Sequence, residues 1–96
     1  MTSEIAEILD RMNKENAKLH DYKKQYMNCI KAKKARNLHI EIVWYEEKEG
    51  QKRIKVDGYE QKKAVLDLVE AHYIEQGREC KRKLEEMVEE MKGVSE

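Results

Sequence analysis

The sequence predicts an α+β chain that is mostly α: an antiparallel two-helix hairpin with a two-stranded β-hairpin between the helices, in the order αββα. Three observations carry this. Two long stretches space their apolar residues by threes and fours, as a helical stripe requires. Between them, a β-branched and aromatic run alternates with a period of two. The two helical stripes also match when run in opposite directions. Paired residue numbers then add to about 96, and the preferred register of the β-hairpin gives the same sum.

The first helix is expected over about Ser3 to Arg36. Thr2 or Ser3 can cap it, and Glu4 and Glu7 suit the positive end of its dipole. Its stripe runs Ile5, Ile8, Leu9, Met12, Leu19, Tyr22, Tyr26, Cys29 and Ile30, with Asn37 as a plausible stop. The hairpin is expected over 38–57, with strands at about 38–46 and 50–57. Two registers compete. A loop of residues 47–50 sets Ile42 opposite Lys55. A three-residue loop with Gly50 in a left-handed bulge sets Ile42 opposite Ile54, Ile40 opposite Val56 and Glu41 opposite Lys55. The second register gathers apolar residues on one face and pairs opposite charges on the other, and is preferred for that reason. The second helix is expected over about Gly58 to Lys92. Asp57 and Glu60 have capping-box spacing, and Gly93 is a C-terminal stop. Its stripe runs from Val65 through Leu66, Val69, Tyr73, Gly77, Cys80, Leu84, Met87 and Val88 to Met91. Gly77 marks either a close approach of the first helix or a break.

The 96 residues read as a single domain, 42% charged and 6% aromatic, without Pro or Phe. That composition suits solvated helices with a narrow apolar stripe and leaves little for a thick core. Self-association, most simply a dimer, is therefore expected to cover Leu9, Ile30, Val65 and one ribbon face. No apolar run approaches the roughly 20 residues that span a bilayer, and the N-terminus lacks a signal pattern. The expectation is a cytoplasmic protein that binds no membrane, with Cys29 and Cys80 as free thiols about a dozen residues apart along the helix axis. His20 near Cys80 or Glu79 lacks a further ligand, so no metal is expected. Gly-rich phosphate loops, G-x-S-x-G, H-E-x-x-H and C-x-x-C are lacking, and the reading is no enzyme and no cofactor.

Charge is balanced overall, with 20 basic and 20 acidic residues, but it is segregated. From Tyr22 to Ile40 there is no carboxylate, while Lys23, Lys24, Lys31, Lys33, Lys34 and Arg36 fall in that span. In the antiparallel arrangement these lie in the ribbon half together with all six aromatics. The opposite end carries Glu4, Glu7, Asp10, Glu85, Glu86, Glu89 and Glu90. The bland reading is a solvated basic end that complements the dipole of the first helix. The functional reading is a site for an anionic partner, built from Lys31, Lys33, Lys34, Arg36 and Arg53 with Tyr45 as a stacking surface. Complementary ends also favour pairing of copies.

In architecture the chain is similar to β-type prefoldin subunits, in which a β-hairpin joins two coiled-coil helices. The likeness is one of shape and brings no site residues with it. It implies a holdase chaperone acting through the ribbon. The leading expectation is instead a small non-enzymatic binding protein of the adaptor or inhibitor kind, such as phages direct against host systems, acting on a protein partner as an oligomer. Binding of a nucleic acid or nucleotide at the basic, aromatic end is the alternative.

Overall fold

A computed structural model describes residues 2–95. The order is α1 (Thr2–Lys33), β1 (Ile40–Glu46), β2 (Gly50–Val56) and α2 (Tyr59–Ser95), the αββα arrangement expected from the sequence. The strands pair antiparallel with Ile42 opposite Ile54, Ile40 opposite Val56 and Glu41 opposite Lys55. Gly50 has φ 77°, the left-handed geometry a bulged three-residue loop needs, and its missing Cβ makes that geometry cheap.

Element ends differ from the sequence reading for local reasons. α1 stops at Lys33 rather than Arg36. The Lys34 N–H donates to the Lys31 carbonyl and the Ala35 N–H to the Ala32 carbonyl, both at 3.1 Å, so the last turn tightens and the helix ends there. α1 already includes Thr2 and Ser3, so neither caps it, and the cap position lies outside the described residues. At the start of α2 the Lys62 N–H donates to the Gly58 carbonyl at 3.1 Å, which makes Gly58 the cap in place of Asp57. Gly58 has φ 87°, and the Gln61 side chain lies where a Cβ would stand. Gly93 does not stop α2, which runs on to Ser95.

The helices meet along one seam. Tyr22 and Tyr73 face each other with ring centroids 6.0 Å apart. Leu19 lies over Gly77, and Arg11 and Lys33 reach across to Glu90 and to Asp67 and Glu70. The Tyr22–Tyr73 and Leu19–Gly77 contacts follow the antiparallel pairing read from the stripes, and the long ion-pair side chains reach one to two turns beyond it. Among the described residues, the buried apolar side chains are Ile8, Cys29 and Cys80, and the one buried charged side chain is Glu15. Glu15 fills the gap between Met12 and Leu19 in the stripe of α1. The Cys80 thiol hydrogen-bonds to its carboxylate, and Lys18 Nζ stands 3.8 Å from it. Burial and this carboxylate push the Cys80 thiol up from its ordinary pKa, burial being the larger cause.

The chain measures 58 × 37 × 15 Å. The thickness is that of one helix with its side chains, about 10–12 Å, and little more. The length is about that of α2 alone, whose 37 residues span roughly 55 Å. The ribbon therefore turns aside instead of extending the line of the helix pair. Its contact with the helices is slight. The extensive contacts are helix with helix and strand with strand.

α2 passes through Gly77 unbroken, and a Cβ built there meets Leu19 Cδ1 at 3.8 Å, an ordinary contact. Close approach therefore does not require the glycine. Gly77→Ala should stabilise the chain by about 1 kcal/mol, the helix-propensity difference, and raise the melting temperature by roughly 4–8 °C. A thermal melt followed by circular dichroism checks this; an unchanged or lower midpoint would mean that the seam needs the glycine.

Candidate functional site: a basic cavity beside an open ribbon

The turn after α1 and the start of α2 converge at the root of the ribbon. Both approach the same point because the helices are antiparallel and the connection between them leaves and returns there. The space they enclose is a cavity of about 400 Å³. Its apolar lining is Ala35, Leu38 and Leu66, and its polar lining is Lys33, Arg36, Lys62 and Lys63, with Gly58 and Tyr59 at the mouth. A space of this size with an apolar floor and a few convergent polar groups has the general form of a small-ligand site.

Its four cations differ in their partners. Lys33 Nζ lies 2.5 Å from both Asp67 Oδ1 and Glu70 Oε2. These two carboxylates hold the Lys33 ammonium well above the usual lysine range, and Lys33 in turn holds the Asp67 carboxyl below its ordinary value. Lys62 Nζ donates to the Leu38 carbonyl at 2.7 Å, which anchors a half-buried ammonium and leaves its other two donors for other acceptors. Arg36 and Lys63 are exposed at the rim. Cys29 lies beside this corner. Burial chiefly, and Glu70, push its thiol up, while Lys33 opposes them.

The six residues proposed from sequence are divided by this geometry. Lys33 and Arg36 line the cavity. Lys31 and Lys34 are exposed on the last turns of α1 and do not line it. Arg53 is on the ribbon, 3.5 Å from Glu41, and His39 Nε2 lies 3.0 Å from the same carboxylate. Tyr45 pairs with Gln51 near the ribbon tip, 76% exposed, and seven residues of strand, roughly 20 Å, separate it from Leu38. Tyr59, Lys62 and Lys63 were not singled out. The signal for them was the spacing itself: a left-handed Gly58 brings the first turn of α2 beside the end of α1.

The ribbon is the second unusual surface. Ile42, Trp44 and Ile54 share one face and are 54%, 40% and 55% exposed, while Val43 and Tyr45 are exposed on the other. The Trp44 indole N–H donates to Glu46 Oε1 at 3.1 Å. Both strands are edges, since the sheet has only two.

Among the described residues no group of three His, Cys, Asp or Glu is placed to hold a metal, and no helix is long and apolar enough to cross a membrane. Comparison with protein families, characterised proteins and solved structures finds no match to this chain.

The Lys33 clamp gives a pH-dependent prediction. Because the folded Asp67 pKa is depressed, its contribution is fully present above the unfolded value of about 3.8 and is lost as pH falls through the lower folded value. Lys33→Ala should therefore destabilise the chain at pH 7, and the gap from wild type should narrow as pH falls through the depressed Asp67 range. Urea titrations at several pH values test this. A gap that persists unchanged into acid would assign the loss to packing of the lysine stem.

Proposed function

We propose that this chain is a non-enzymatic binding protein of the adaptor or inhibitor kind, self-associated through its helices and contacting a protein partner through the ribbon. The observation that carries this reading is the ribbon: it makes only slight contact with the helices, bares Ile42, Trp44 and Ile54 on one face, and has two open edges. A two-stranded ribbon is marginal in water without something to pack against. Open edges accept an added strand, and an apolar face supplies alternate side-chain pockets, the chemistry of strand addition between proteins. An inhibitor of a larger host enzyme, such as phages encode, is one member of this class.

Ile42→Glu combined with Ile54→Lys pairs opposite charges across the strands and removes the apolar face without breaking the register. An immobilised wild-type chain should retain a lysate protein that this variant does not, with retention insensitive to nuclease and to moderate salt. Retention lost on nuclease treatment, or kept by the double variant, would contradict ribbon-mediated protein binding.

Self-association has its own support. At 15 Å the chain is a single layer, whereas stable domains bury apolar faces between at least two. One broad face of the helix pair carries a hollow of about 210 Å³ lined by Leu19, Tyr26, Tyr73 and Ile74 with Lys23 and Lys81 at its rim. Leu9 and Met27 stand at whole-turn spacings from Lys23, and Val88 at such a spacing from Lys81, so these exposed apolar side chains fall on the same face. A second copy laid on that face completes a four-helix bundle. Sedimentation equilibrium should give a multiple of 11.5 kDa, most simply twice, and Leu9→Glu with Val88→Glu should shift it toward monomer. A wild-type monomer at tens of micromolar would refute this part.

A further inference from the structure

We propose that the cavity at the root of the ribbon binds a nucleoside monophosphate, with the phosphate held by Arg36, Lys62 and Lys63 and the base lying on Tyr59 above Leu38 and Leu66. The argument starts from charge. Lys33, Arg36, Lys62 and Lys63 line one space, and no carboxylate lines it with them: Asp67 and Glu70 are engaged by Lys33, Asp67 also lies within electrostatic reach of Lys63, and Asp57 and Glu60 flank Gly58 and Tyr59 outside the lining. Lys62 bonds to a neutral carbonyl, so its charge is uncompensated by that contact. Converging cations of this kind are unfavourable to one another in an empty site and favour a compact dianion between them.

Lys62 is the best placed of the three. Its ammonium is fixed by the Leu38 carbonyl at 2.7 Å, so little freedom remains to be lost when a phosphate oxygen takes a further donor. Arg36 adds a planar fork suited to two phosphate oxygens. The first turn of α2 opens on the same space. Its cap, Gly58, lines the cavity.

The rest of the lining specifies more than a bare anion. Leu38, Leu66 and Ala35 are apolar, and a hydrated phosphate alone would leave them uncovered. Tyr59 is 73% exposed at the mouth, where helix packing gives it no role, and its ring is a stacking platform. A phosphate joined to a flat ring satisfies both halves. The volume of about 400 Å³ admits one nucleotide and not a run of them, which favours a free mononucleotide over a polymer that threads through.

Calorimetric titration of the full chain with AMP, adenosine, inorganic phosphate, and a single-stranded oligonucleotide with and without a 5′-phosphate tests this. AMP should bind at least tenfold more tightly than adenosine or inorganic phosphate. Arg36→Ala with Lys63→Ala should weaken AMP at least tenfold, and Tyr59→Leu should reduce AMP toward the affinity of inorganic phosphate. Lys31→Ala with Lys34→Ala should leave AMP binding unchanged, since neither residue lines the cavity. If the double alanine variant loses its circular dichroism spectrum, Arg36→Gln with Lys63→Gln supplies the same comparison with the side-chain stems kept. Equal affinity for AMP and inorganic phosphate would overturn the nucleotide assignment, as would binding confined to the oligonucleotides. AMP affinity unaltered in the folded Arg36 and Lys63 variants, or no AMP binding at millimolar concentration, would overturn the site.

Discussion

A single seam between two antiparallel helices holds this molecule together, and everything else hangs from it. The seam sets the pairing of Tyr22 with Tyr73 and of Leu19 with Gly77. It brings the end of α1 beside the start of α2, and that juxtaposition encloses the basic cavity. Because the seam is one layer deep, three apolar side chains are buried among the described residues, none of them completely, and much apolar surface is left facing outward. Tight packing of a few residues cannot replace area, since hydrophobic stabilisation scales with surface removed from water. The fold thus fixes an arrangement in space while leaving its own burial incomplete.

Glu15 and the terminal ion pairs bear on specificity more than on strength. A carboxylate in an apolar seam costs desolvation energy, which its bonds from Cys80 and Lys18 offset only in part. Sliding α2 along α1 by one turn would separate Glu15 from Cys80 and Arg11 from Glu90 at the far end. Exposed pairs of this kind each contribute about 1 kcal/mol or less. The Glu15 contact and the Arg11 pair nevertheless favour the same alignment, which an apolar stripe alone defines loosely.

Much of this was legible in the sequence. The pairing of the stripes, the ribbon register and the left-handed Gly50 followed from periodicity and from the choice that segregates apolar from charged residues. The errors have physical causes. Asp57 and Glu60 had capping-box spacing, but a left-handed Gly58 moved the cap one residue on. Gly93 resembled a stop, yet a glycine is tolerated within a helix and nothing after it forces a turn. The direction of the ribbon was not legible, because it depends on the tight turn after Lys33 rather than on any stripe. For the same reason the basic residues could be assigned to one end of the molecule but not sorted. Lys33 faces inward to Asp67 and Glu70, Arg36 faces the cavity, and Arg53 belongs to a ribbon that leads elsewhere.

The flat outline has a bearing on how the molecule moves through solution. Its radius of gyration is 19.3 Å, whereas a compact chain of 96 residues would have about 12–13 Å. A compact globule as wide as this one would need on the order of 300 residues. One copy by itself therefore drags more than a compact particle of its mass, and stacking a second copy on the broad face adds mass while thickening the plate and making it rounder. Friction and mass then change by different proportions on assembly. Column retention and rotational diffusion consequently report shape here, and a lone plate and a stacked pair differ less in their drag than in their weight.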